Sequence, residues 1–112
     1  MPRNMSFMLT TQQVRERTKD VTRRIGWWNV KPGQIVNACE KCMGLKKGEK
    51  VKVICQIQIV SKRRERLFEI TKDDCVREGF PEMHPNEFVT MFMKHNKCGA
   101  REFVNRIEFR YI

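Results

Sequence analysis

Residues 50–60 read KVKVICQIQIV, and their alternation decides the fold class. Val51, Val53, Cys55, Ile57 and Ile59 fall on one side of an extended chain, and Lys50, Lys52, Gln56 and Gln58 on the other. Successive side chains of a strand point to opposite faces, so this pattern predicts a half-buried β-strand with one face on a core and one in water. LKKGEK (45–50) before it predicts a tight turn, and RERLFEI (64–70) after it an antiparallel partner. Farther out, Lys31-Pro32-Gly33 is a turn signal, because proline presets one backbone angle and glycine accepts a positive one. The QIVNACE stretch behind it (34–40) reads as a strand. MSFML (5–9) is a short apolar run able to open a sheet, and Ile107, Phe109 and Tyr111 alternate with Glu108 and Arg110 in a terminal strand.

Between these strands the period changes. Thr10 and Gln13 have the spacing of a capping box, which predicts a short helix from about Thr11 to Thr18. Thr71 and Asp74 repeat that logic for KDDCVREG (72–79), with acidic residues at the positive end of the helix and Gly79 as its stop. In PNEFVTMFMKHN (85–96), Phe88, Val89, Phe92 and Met93 share one helical face and Pro85 suits a first turn. Five to six strands with two to three short helices make an α+β domain, built as a curled sheet or small mixed β-barrel.

The chain has 112 residues, enough for one core and too few for two, so residues 1–112 are expected to form a single domain. Lys and Arg total 23 against 13 Asp and Glu, a formal charge of +10 that favours phosphate-bearing partners. No apolar run reaches the length of a membrane span, and MPRNMSFMLTTQQ lacks the apolar stretch and cleavage site of a secretory signal. A cytoplasmic protein without a membrane partner is therefore expected. The five cysteines, an odd number, fit reduced thiols there. Cys39 and Cys42 form a lone C-x-x-C with no second pair at ligand spacing, so neither a metal nor a cofactor is expected. His84 and His95, the only histidines, flank the last helix as caps or surface groups.

Residues 17–28, RTKDVTRRIGWW, concentrate four cations, two threonines and two tryptophans. A threonine hydroxyl is a weak nucleophile until a base takes its proton, and lysine is such a base only when desolvation or neighbouring positive charge lowers its pKa. Arg17, Arg23 and Arg24 supply charge near Lys19 and Thr22, and Trp27 and Trp28 supply apolar walls. On an extended segment the adjacent tryptophans point to opposite faces, one to the core and one free to stack on a base. Two further basic runs, Lys62-Arg63-Arg64 with Arg66 and Lys46-Lys47 with Lys50, read as solvated faces or as nucleic-acid contacts.

KDVTRR followed by WWNVKPGQIV, with VREGF and the terminal NRIEFRYI, resembles the ASCH domains of the PUA-like superfamily, from about Ser6 to Ile112. The resemblance implies a small mixed barrel with a cleft beside the first helix, and nucleoside or RNA as partner. Small N4-acetylcytidine amidohydrolases of that superfamily use a Lys, a Thr three residues on and a distant Glu. Lys19 and Thr22 match that spacing and Glu78 of VREGF matches the glutamate. Arg23 or Arg24 corresponds to the basic residue after the threonine. Asp20 inside the motif, the twin tryptophans and CEKCMGLKKGEK depart from the pattern. The resemblance thus implies an amidohydrolase with Lys19, Thr22 and Glu78 as catalytic residues and Arg23, Arg24, Trp27 and Trp28 as substrate contacts. A non-catalytic RNA-binding module and a ribonuclease are the two alternatives.

Overall fold

The computed structural model describes residues 2–112. Five strands form one mixed sheet: β1 (Arg3–Ser6), β2 (Val21–Arg24), β3 (Ile35–Cys39), β4 (Val53–Arg66) and β5 (Phe103–Tyr111), in the order β1-β3-β4-β5-β2. Only β1 and β3 run parallel, and all other pairs are antiparallel. Three helices accompany the sheet: α1 (Thr11–Arg15), α2 (Lys72–Arg77) and α3 (Pro85–Asn96). The fold is therefore α+β. β1 and β2 are the sheet's edges, and no backbone pairing joins them among the described residues. No helix among the described residues is long and apolar enough to cross a membrane.

β4 follows the predicted alternation at its centre, where Ile57 and Ile59 are buried. Its partners differ from the expectation. β3 is the hairpin partner on one side, joined through residues 40–52; the tight turn predicted in LKKGEK forms at Lys46–Glu49, where the Glu49 N–H donates to the Lys46 carbonyl at 2.9 Å, but Lys50, Val51 and Lys52 lie outside the strand. RERLFEI is not a separate strand. Its first three residues finish β4 and Leu67–Glu69 form a 3-10 turn, while the antiparallel partner is β5.

A register shift between Ile59 and Ser61 leaves Val60 as an extra residue in β4. An inserted residue reverses which side chains face which side. Ile57 and Ile59 pair with Tyr111 and Phe109 on the side of the main core, whereas beyond the shift Lys62, Arg64 and Arg66 pair with Ile107, Asn105 and Phe103 and take over that side. Arg63 and Glu65 turn to the other side with Arg106 and Val104.

Two cores result. Met5, Phe7, Val14, Val36, Ile57, Ile59, Ile107 and Phe109 pack on one side of the sheet. Leu67, Ile70, Cys75, Phe88, Val89, Phe92 and Val104 pack where α2 and α3 cover the other. β5 runs between them, which is why Val104, Asn105, Arg106 and Ile107 are all buried despite the alternation of a strand.

The helix ends follow their chemistry unevenly. Thr71 Oγ1 accepts from the Asp74 backbone N–H at 3.2 Å, and Pro85 opens α3. The expected capping box at Thr10 does not form, and α1 ends at Arg15, short of Thr18. The side chain of Gln13 instead donates across the fold to the carbonyl of Gly79 at 3.3 Å.

Candidate active site

The cavity that matters lies between the two edges of the sheet. Ser6 at the end of β1 and the turn that follows it form one wall, Thr22 and Arg24 of β2 the next, and Phe80, Phe88 and Phe92 the apolar floor. It encloses about 270 Å³, slightly under the range of roughly 300–1,000 Å³ usual for small-molecule sites. That size suits one planar heterocycle with a small substituent.

Lys19, Thr22 and Glu78 all line it, although Glu78 lies 59 positions after Lys19 in the chain. Each is 4% exposed or less. Lys19 Nζ donates to Glu78 Oε1 at 2.6 Å and to the Glu78 carbonyl at 2.8 Å. Burial lowers its pKa, Glu78 opposes that shift, and Arg24 and Arg23 add to it. A buried ammonium thus meets three pushes toward neutrality, from burial and the two arginines, and a counter-pull from Glu78. The backbone of Lys19 is held as well, since Tyr111 donates its phenolic hydrogen to the Lys19 carbonyl at 2.5 Å. Burial raises the pKa of that phenol to about 12, so it stays a donor.

Glu78 is delivered by the end of α2. Its backbone N–H closes the helix on the Asp74 carbonyl at 2.8 Å, and Gly79 follows at φ +99°. A β-carbon on Gly79 would meet Gln13 Cγ at 2.7 Å. Glycine therefore serves both the left-handed turn and the close approach of α1.

Thr22 and Arg24 sit two apart on β2 and so share a face. Arg24 Nε donates to Thr22 Oγ1 at 3.1 Å, and its guanidinium carbon lies 4.8 Å from the centre of the Phe7 ring. No carboxylate among the described residues pairs with Arg24, and burial brings its pKa down to about 10. Because Oγ1 accepts from Arg24, the threonine proton is turned elsewhere. Lys19 Nζ and Thr22 Oγ1 line the same cavity, but no hydrogen bond joins them.

Arg23 points to the opposite face and is the hub of a buried charge network. It donates to Asp74 Oδ2 at 2.5 Å, to Glu78 Oε2 at 3.2 Å and to Glu65 Oε2 at 3.3 Å. Arg106 grips the same Asp74 at 2.6 and 3.1 Å. Arg23 Nε is left buried without a partner among the described residues. Both arginines expected as substrate contacts line the cavity; Arg24 pairs with no carboxylate among the described residues, whereas Arg23 is tied to Glu78, Glu65 and Asp74.

The tryptophans divide as expected for a different reason. Gly26 and Trp27 both take positive φ, +99° and +60°, in a sharp turn after β2, so the segment is not extended. Trp27 packs against the main core under the Arg3 guanidinium, 3.9 Å from the ring centre, and lines the cavity. Trp28 lies outside, 46% exposed. His95, read from sequence as a cap or surface group, is exposed at the cavity rim with Asn96. Its position three residues after Phe92 on α3 is the signal that could have placed it there. His84 precedes α3 as its N-cap residue. Cys39 is buried at the end of β3, and burial together with Cys42 raises its pKa to about 11. No group of three or more His, Cys, Asp or Glu side chains converges as a metal site among the described residues.

Neither a protein-family profile, nor a curated protein, nor a solved structure matches this chain.

Proposed function

We propose that the protein is an amidohydrolase that removes the acyl group from the exocyclic nitrogen of an N4-acetylcytidine-type nucleoside, with Lys19, Thr22 and Glu78 as its catalytic residues. One observation carries the reading: a desolvated lysine, a threonine hydroxyl and a glutamate from separate segments line one cavity of heterocycle size. The ASCH-like, PUA-related barrel belongs to the same proposal. Ser6 of β1 and Thr22 of β2 line one cavity although they stand on opposite edges of the sheet, which supports a sheet curled toward closure.

In the proposed reaction Thr22 Oγ attacks the acyl carbonyl and its proton passes to the neutral Lys19 amine, directly or through a water. Nζ gives up a Glu78 contact to do so, and the carboxylate stabilises the ammonium that forms. The Lys19 ammonium then protonates the departing exocyclic nitrogen as the C–N bond breaks. Water next attacks the threonine ester as Lys19 takes its proton; the Oγ–C bond then breaks, Lys19 returns that proton to Thr22 Oγ, and the carboxylic acid leaves with Thr22 and neutral Lys19 restored. Arg24, which forms no salt bridge among the described residues and is already bonded to Oγ1, is the group that would stabilise the oxyanion.

The test is release of cytidine from N4-acetylcytidine. Thr22→Ala and Lys19→Met are expected to lower kcat/KM by about 10²–10⁴-fold. Full turnover by either variant overturns the assignment.

A further inference from the structure

Beyond the cavity, one face of the sheet carries cations without carboxylates. The rows Thr22–Ile107–Lys62 and Arg24–Asn105–Arg64 run straight across β2, β5 and β4, and Phe103–Arg66 follows as the next pair. At about 4.8 Å per strand, Arg64 stands roughly 10 Å from Arg24 in the same row. The strand carboxylates of this half of the sheet, Glu65 and Glu108, fall on the other face. There they meet Arg23, Arg63, Arg77 and Arg106.

Lys62, Arg64 and Arg66 are held in place by other means. The guanidinium carbons of Arg64 and Arg66 lie 3.8 and 4.1 Å from the centre of the Phe103 ring. Arg66 also donates to the Arg101 carbonyl at 2.7 Å. Lys62 Nζ donates to the Trp28 carbonyl, which ties the loop bearing the exposed Trp28 between this stripe and the cavity. Asn105 fixes the same loop through the Gly26 carbonyl at 2.5 Å. Ile25 and Trp27 of that loop are cavity walls.

We infer that this face is a docking track for a single-stranded polynucleotide, along which Lys62, Arg64 and Arg66 hold phosphates and Trp28 stacks on a base next to the one in the cavity. Where it seats that last base, the track rests on the reading of the cavity as a nucleobase pocket. Preorganised guanidiniums without counter-charges match phosphate. An exposed indole beside them matches an unstacked base, which a duplex does not offer. An anionic membrane surface fits less well, because the exposed apolar groups nearby, Ile25 and Trp28 on the loop and Phe68 in the 3-10 turn after β4, do not form the face of an amphipathic helix.

The experiment is titration of a fluorescein-labelled 12-mer of cytidylate, as RNA and as DNA, against salt, with Trp28→Ala, the triple variant Lys62→Gln/Arg64→Gln/Arg66→Gln and an off-track triple Lys46→Gln/Lys47→Gln/Lys50→Gln. The on-track triple is expected to make the slope of log K against log salt shallower by about 2. Trp28→Ala is expected to weaken binding roughly 5- to 150-fold. The off-track triple, with the same charge loss, is expected to keep the parent's slope. Unchanged melting temperatures show that the variants are folded. Tighter binding of RNA than of DNA assigns the strand as RNA, and the reverse assigns it as DNA. Equal loss in both triples, tighter binding of the duplex, no binding of either strand at 50 mM salt, or binding only of phosphatidylserine vesicles overturns the track. Strand binding that depends on the track without cytidine release from N4-acetylcytidine sinks the amidohydrolase and leaves the track. Release without strand binding does the reverse.

Discussion

Lys19 feels one negative and two positive neighbours in a dry site, and the balance is open to manipulation. Burial, Arg24 and Arg23 lower its pKa, and Glu78 raises it. The ascending limb of the pH–rate profile should therefore lie below the ordinary lysine value of about 10.4. Glu78→Gln removes the one raising influence, so in that variant the limb should move to still lower pH while the maximum rate falls; a limb that stays put or moves up refutes the role given to Lys19. Asp74 gives the opposite sign. Burial alone would raise its pKa, but hydrogen bonds from Arg106 and Arg23 outweigh it and hold the carboxyl well below the usual carboxylate range. A depressed folded-state pKa adds stability that is complete above the unfolded value, near 3.9, and fades as pH falls toward the folded one. Asp74→Asn removes the charge that two buried guanidiniums share, leaving Arg23 to Glu78 and Glu65 and Arg106 to Glu108 alone, and should destabilise by about 3–5 kcal/mol near neutrality. Denaturant melts should show that gap closing progressively below about pH 4.

Among the elements, the joint between α1 and the end of α2 is the most sensitive, because it sets the position of Glu78 from outside the cavity. Gly79→Ala combines a strained φ with a 2.7 Å approach to Gln13. It should destabilise by about 1–3 kcal/mol in thermal or denaturant melts, and lower cytidine release beyond the loss of folded protein. Adding Gln13→Ala should recover part of both, since it removes the 2.7 Å approach to Cγ but keeps the Cβ at 3.0 Å, the strained φ and the loss of the bond to the Gly79 carbonyl. This joint was half legible in the sequence. The stop at Gly79, the Thr71 cap and the Pro85 start were readable because each is a local requirement of one helix end. The capping box at Thr10 was misread because Gln13 is used across the fold by Gly79, a contact that no local rule contains. The alternation of Ile57 and Ile59 identified β4, but the extra residue at Val60 could not be read from alternation, so the length and partners of the strand were misjudged.

At the scale of the molecule, α+β architecture followed from strand and helix periods alone, and the pairing of Lys19 with Glu78 followed only from resemblance. The sorting of charge between the two faces was out of reach for the sequence, where Lys62-Arg63-Arg64-Glu65-Arg66 is a single basic run. Its division depends on one bulge and on which strand lies alongside. That division also bears on self-association. β3 pairs with β4 only as far as Gln58, so from Ser61 to Arg66 the strand has a ladder partner on one side alone. Its other side offers unused backbone groups to any incoming strand, the usual route to edge-to-edge aggregation. Two copies meeting there would bring their lysines and arginines together, a like-charge repulsion that opposes such pairing. A polyanion lying along the stripe would cancel that repulsion, so crowding on a long strand would favour contact between neighbouring copies at this edge.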